Sequence, residues 1–221
     1  MRRFLFGVST LLAVAALAVP AVAAPSDGGA RRWRVTIENL TPPGSQPLSP
    51  PLVVVHSRQA EVWSLDTIAS HGVAAIAEDA NNAPLEQALP AVRGVRSVFT
   101  VPGGPIPPGG STGFEIETRG PFDRLTVLTM LVNTNDAFTG LDSLRVRRST
   151  SVETVAYDAG SEANNELAAF IPGPCCNNPF VRDPEGALVA MHPGITGAGD
   201  LDPAVYGWPG AAARLTIEPM S

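Results

Sequence analysis

The sequence predicts an all-β protein: an antiparallel β-sandwich of about eight strands with one or two short helices. Short runs that are apolar or alternate apolar with polar recur along the chain, the periodicity of strands. The 22 prolines and 21 glycines fall mostly between those runs, where they set turns. Only one stretch, after Ser70, is alanine-rich and clearly helical in pattern.

The elements follow in order. "MRRFLFGVSTLLAVAALAVPAVA" has Arg2 and Arg3, an apolar run from Phe4 to Val19 and a small-x-small signal at Ala21–Ala23. It reads as a secretory signal peptide, residues 1–23, cleaved before Ala24. No cysteine follows it to carry lipid. No later stretch reaches the ~18 to 20 apolar residues of a membrane span, so no transmembrane segment is expected. The chain is thus expected to be exported, either secreted or kept in the periplasm or at the cell surface. Residues 24–32 form a lead-in, and 33–219 a single sandwich domain.

"WRVTIENL" (33–40) alternates Trp33, Val35 and Ile37 with polar residues, as a half-buried strand does. Five prolines in "TPPGSQPLSPP" (41–51) exclude regular structure there. "LVVVH" (52–56) and "EVWSL" (61–65) read as strands. Ser70 is placed to cap a helix over "HGVAAIAEDA", and "PLEQAL" (84–89) starts a second turn with Pro84 at its first position. Strands resume at 95–101, 113–118 and 124–132, the last nearly all apolar and therefore buried on both faces. Runs at 144–148, 152–157 and 213–219 complete the set.

Without the leader arginines, the 15 basic residues fall to 13 against 21 acids, a net charge near −8. That balance argues against nonspecific binding to nucleic acid or anionic membranes and is compatible with divalent cations. Two adjacent cysteines, Cys175 and Cys176, are the only ones. They are either a strained vicinal disulfide, free thiols, or partners of another chain.

Chemistry concentrates in two acidic turns. The strand at 124–132 runs into "NTNDAFTGLDSL" (133–144), and "YDAGSE" (157–162) follows the strand at 152–157. If 124–132, 144–148 and 152–157 form a meander, Asp136 and Asp158 emerge at the same end of the sandwich. In an extended strand Asp158 and Glu162 would stand about 13 Å apart, too far to share an ion. "DAGSE" must therefore turn, and Gly160 permits it. Asp136, Asp158 and Glu162, with Asn135 or Asn164, carbonyls and water, would make a hard oxygen set suited to calcium. An EF-hand is excluded, because from Asn133 the fifth and sixth positions are Ala137 and Phe138. The alternative is that these acids only form turns.

The pair "TMLVNTNDAFTGLDSL" and "AYDAGSEANNE" resembles the spondin N-terminal domain of F-spondin and mindin, most closely its exported bacterial versions. "VTIENLTPPGSQPLSPPLVVVH", "IASHGVAAIAEDANNAPL", "HPGITGAGDL" and "AARLTIE" extend the resemblance over residues 33–218. It implies an antiparallel sandwich similar to calcium-dependent phospholipid-binding domains, with one calcium ion (Ca2+) at the loop end. Animal members act in extracellular matrix and adhesion. The family's calcium acids fall on Asp136, Asp158 and Glu162. Two departures stand out: animal members carry aspartate where Glu162 stands and tryptophan where Ala137 stands.

Other patterns weigh less. "GGSTG" (109–113) matches a nucleophile elbow in letters, but Ser111 follows prolines and precedes an alternating strand, not a helix. His56, His71 and His192 could form a zinc site with Glu78 or Asp79, but they are not spaced as a known ligand pair. Arg145, Arg147 and Arg148 suit either an exposed strand face with a turn or recognition of anionic sugars or a partner's acids. Trp33, Trp63 and Trp208 read as core or rim, with Trp208, a loop aromatic, the best candidate among them for a ligand contact. The expected function is therefore a secreted, non-enzymatic, calcium-binding module for adhesion or ligand binding. Its one ion would bind weakly, and its partner would be an unidentified extracellular protein or glycan, not nucleic acid. The alternatives are a structural envelope protein without metal and a metal-dependent hydrolase using His56, His71 or His192. The oligomeric state is not fixed by the sequence.

Overall fold

Alternation along Arg31–Asn39 (β1) buries Trp33, Val35 and Ile37 on one face and leaves Arg32 and Arg34 exposed on the other. This is the two-residue period of a strand with one wet face. The structure, a computed structural model, describes residues 29–221. The expected signal peptide over 1–23 lies outside the described residues.

After β1 come Leu52–His56 (β2), the helices His71–Asp79 (α1) and Ala83–Ala88 (α2), and the strands Val95–Thr100 (β3), Ser111–Thr118 (β4) and Arg124–Met130 (β5). Ala137–Arg145 (β6), Thr150–Thr154 (β7), Ala156–Asp158 (β8), Ala190–Met191 (β9), the short helix Pro203–Tyr206 (α3) and Ala213–Pro219 (β10) complete the order. The strands form two antiparallel sheets, β4-β1-β10-β7 and β3-β2-β5-β6-β8-β9. The architecture is the all-β sandwich that the sequence predicts. Among the described residues no helix is long and apolar enough to cross a membrane.

Between the sheets lie Val35, Ile37, Leu215 and Ile217 from one and Val53, Val55, Leu125 and Val127 from the other, all fully buried. Each such aliphatic side chain contributes roughly 1.5–3 kcal/mol by leaving water. The outer face of the six-stranded sheet is also covered. Leu52, Val54, Leu128 and Phe138 pack under Val73, Ile76 and Ala77 of α1 and Leu85 of α2. Burial on both faces explains why β2 and β5 read as continuous apolar runs. Ser70 caps α1 as expected, its hydroxyl accepting from Val73 N–H.

Three readings need revision. Residues 61–65 are irregular chain, not a strand; Val62 and Trp63 are apolar because both are buried in the cluster beside α1, not because they lie in a sheet. The strand expected over 144–148 begins at Ala137 and ends at Arg145, so most of "NDAFTGLDSL" is strand. Gly140 conceals it: its φ is +153°, and a Cβ there would sit 1.8 Å from the Val127 carbonyl oxygen. Close backbone approach selects glycine in mid-strand. The run 152–157 is divided, with β7 in one sheet and β8 in the other.

Cys175 and Cys176 are joined as a vicinal disulfide. They pack against a small cluster of Ile171, Ile195 and Leu201 under the long C-terminal loops.

Candidate metal centre

The turn between β5 and β6 is tightened by its own side chains. Thr134 Oγ1 donates to the Leu131 carbonyl (2.6 Å) and accepts from Ala137 N–H (3.0 Å). Asn133 anchors it from below: its N–H donates to Gln46 Oε1 and its side-chain amide to the Ser45 carbonyl. Asn135 uses its Oδ1 to accept from Glu166 N–H, so this oxygen already has a donor. Asp136, next in line, is fully buried.

The register of β6 against β8 opposes Ala137 to Asp158, and Ala159 N–H donates to the Asp136 carbonyl at 3.2 Å. The two acidic turns therefore meet at one rim, as the meander requires, with β8 supplying the third strand. Gly160 turns the chain with φ +65°, and its N–H donates to Asp158 Oδ1 (2.6 Å). The bend carries Ser161 and Glu162 back over Asp136. Asp136 Oδ2 then accepts three bonds: from Ser161 N–H (2.8 Å), Ser161 Oγ (3.1 Å) and Glu162 N–H (2.9 Å). Asp136 Oδ1 is buried with no hydrogen-bond partner.

Such an oxygen is unusual, since buried polar atoms are almost always paired. Burial first, and the neighbouring Asp158 charge second, push the Asp136 carboxyl up to about 7, against the bonds from Ser161 and Glu162. Asp158 is half-buried; its second oxygen accepts from Asn164 Nδ2 at 2.6 Å.

Glu162 is fully buried, with both carboxylate oxygens lacking a hydrogen bond. Arg182 Nε lies 2.9 Å from Glu162 Oε1, but its hydrogen is aimed at Glu78 Oε2 (2.7 Å), so the contact with Glu162 is coulombic only. The same guanidinium also pairs with Asp79. One cation is thus shared by three carboxylates. Burial, then Glu78, then Asp136 drive the Glu162 carboxyl up to about 8. The arrangement brings all three acids named from the sequence into one neighbourhood. Even so, among the described residues no group of three or more His, Cys, Asp or Glu side chains converges as a ready metal cage. Glu162 lies against Arg182, whereas Asp158 spends its oxygens on Gly160 N–H and Asn164. The donor chemistry fits a hard cation, because a buried carboxyl oxygen without a hydrogen-bond partner is what such an ion satisfies, holding the acid ionised.

Arg182 is not among the residues the sequence singles out, and Glu78 and Asp79 enter there only as possible partners of the histidines, not of Glu162. They come from α1 and from a loop roughly a hundred residues later, and no local spacing signals their meeting. Glu166 was also missed. Burial raises its carboxyl, but Thr196 N–H and Oγ, Gly197 N–H and Ala198 N–H outweigh it and leave the acid lowered. This closed nest pins the "ITGAG" loop beside the site.

The histidines are not brought together. His56 is buried on β2, with Nδ1 2.9 Å from the Ser57 carbonyl and Nε2 2.9 Å from Thr126 Oγ1. His71 opens α1 and is exposed. His192 accepts from Gly194 N–H on Nδ1 and lies against Trp208, ring centroids 5.4 Å apart. Ser111 opens β4 and is followed by strand.

A family model, Spondin_N, matches residues 41–165, which carry both acidic turns. No curated protein matches the chain.

Proposed function

As the chain belongs to the spondin N-terminal domain family, we propose that it is an extracellular, non-enzymatic β-sandwich module that binds one calcium ion and serves adhesion or ligand binding. The observation that carries the calcium reading is Asp136 Oδ1, a buried carboxyl oxygen with no hydrogen-bond partner, set near a second carboxylate. Asp136, Asp158 and Glu162 would hold the ion. Bound there, calcium supplies the positive charge that the paired acids lack. The chain's own part is to fold the 158–162 turn over Asp136 and to fix it through Ser161 and Gly160.

Calorimetry and thermal melting with calcium and with chelator test this. Extracellular calcium modules bind near ~10⁻⁴ to 10⁻³ M. At a Kd of about 10⁻⁴ M, about 10 mM calcium stabilises by about 2.7 kcal/mol. Heat of binding and a chelator-reversible rise in Tm are expected. No heat and no shift at that concentration overturn the reading.

A second reading, a structural envelope protein without metal, is favoured by the three bonds to Asp136 Oδ2, which tie the two turns unaided. It requires that calcium leave the Tm of both the wild type and Asp158→Asn unchanged. The hydrolase alternative finds no support in the histidines, since His56 and His192 are occupied in packing and hydrogen bonding.

A further inference from the structure

The opposite end of the sandwich carries the converse charge. β5 separates Arg124 from Met130, so this end lies about 20 Å from the acidic turns at ~3.3 Å per residue. Two clefts adjoin there. One, of about 360 Å³, is lined by Arg58, Arg124, Arg145 and Arg147 with Asp123. The other, of about 280 Å³, is lined by Arg31, Arg119 and Arg147, again with Asp123. Six guanidiniums thus surround one carboxylate, in a protein whose formal net charge is −6.

The single acid is already committed. Asp123 Oδ2 accepts from Arg145 Nε (2.8 Å) and Arg147 Nε (3.1 Å) on the same oxygen. That pairing fixes the two side chains and leaves their Nη groups directed elsewhere. Arg124 is held by the Ser143 carbonyl at 2.8 Å. Among the described residues, the side chains of Arg31, Arg58 and Arg119 make no hydrogen bond or ion pair, and all three are exposed. The result is a strip in which Arg145 and Arg147 are oriented by one shared carboxylate, Arg124 lies near Asp142, and the other three have no partner among the described residues. A guanidinium fork matches the oxygens of a sulfate or carboxylate group.

We propose that this strip binds an acidic polysaccharide bearing sulfate or carboxylate groups. Two clefts sharing a wall suit a repeating polyanion better than one small ion. Neither cleft has an aromatic side chain on which bases could stack, which disfavours a nucleic acid. The exposed large apolar side chains, such as Ile68, Phe180 and Met191, lie outside both clefts, which disfavours insertion into a lipid surface. The proposal names a partner class for the extracellular module proposed above but does not require calcium at the other end.

The test measures binding of the full mature chain to dextran sulfate, polygalacturonate and neutral dextran, in chelator, across a salt series. Binding to at least one of the two polyanions, none to dextran and weakening with salt are expected. Arg58→Ala and Arg147→Ala should each raise Kd about tenfold, the loss of one charge-assisted contact. Arg214→Ala, whose partners Glu38 and Glu153 lie away from the clefts, should stay within about twofold. Unchanged Tm in the exposed-site variants certifies folding. No polyanion binding at low salt overturns the proposal, as does undiminished binding in both cleft variants. Tighter binding to phosphatidylglycerol vesicles or single-stranded DNA also overturns it. Because the assay runs in chelator, a negative result here is distinct from failure of the calcium site.

Discussion

Asp136→Asn separates a metal-binding acid from a turn former. In chelator at pH 8 the wild-type carboxyl must ionise in a buried place beside Asp158, although its pKa stands near 7. A group raised in the folded state contributes stability that is complete below its unfolded value of 3.8 and lost as pH rises through about 7. The rise from 3.8 to about 7 corresponds to a handicap of at most about 4 kcal/mol above that pH. Asparagine removes the charge while preserving the geometry. Its amide oxygen can keep the donors Ser161 N–H, Ser161 Oγ and Glu162 N–H, and its amide nitrogen then replaces the orphan Oδ1 and can donate towards Asp158. We expect a gain of about 2 kcal/mol in chelator at pH 8, a Tm rise of about 4–8 °C. No gain is expected at pH 4, and the calcium-dependent shift should disappear. Differential scanning calorimetry at the two pH values, with chelator and with calcium, reads all three. If Asp136→Asn melts lower than wild type in chelator at pH 8, or keeps the calcium shift, the electrostatic reasoning is wrong.

Burial lowers His192 from 6.5 to about 4, against Asp158 and Glu166, so its contribution is complete above pH 6.5 and lost as pH falls through 4, by at most about 3 kcal/mol. His192→Asn, which can still accept from Gly194 N–H, should flatten that part of the urea-denaturation profile between pH 7 and 4. Gly140→Ala forces a Cβ to 1.8 Å from the Val127 oxygen at φ +153°, and should cost more than about 3 kcal/mol or prevent folding, as circular dichroism would show. Phe138→Ala empties the seat between Trp63 (5.0 Å) and Tyr157 (5.6 Å), so a stability loss of about 3–5 kcal/mol is expected, read from denaturant unfolding.

Local signals were legible wherever local physics decides. Ser70 before an alanine-rich run, Pro84 at a helix start and the alternation of Trp33, Val35 and Ile37 all appear where the residues place them. The rim at which Asp136 meets Asp158 was also legible, because it needs only antiparallel pairing of neighbouring strands. What escaped the sequence is non-local. Gly140 reads as a loop residue until Val127 is known to press against it. Val62 and Trp63 look like strand until α1 is seen above them. Arg182 reaches Glu162 and Glu78 across long stretches of chain, and no spacing rule encodes that meeting.

Thr154 pairs with Ala213 in one sheet, and Ala156, two residues further, pairs with Thr139 in the other. Val155 is therefore a rivet between the two plates of the sandwich, placed three residues before the acid at 158. Any sliding of one plate over the other would tug directly on that turn. A grip on an ion at the rim would in turn clamp the plates together, so mechanical stiffness and occupancy of the rim would rise and fall as one.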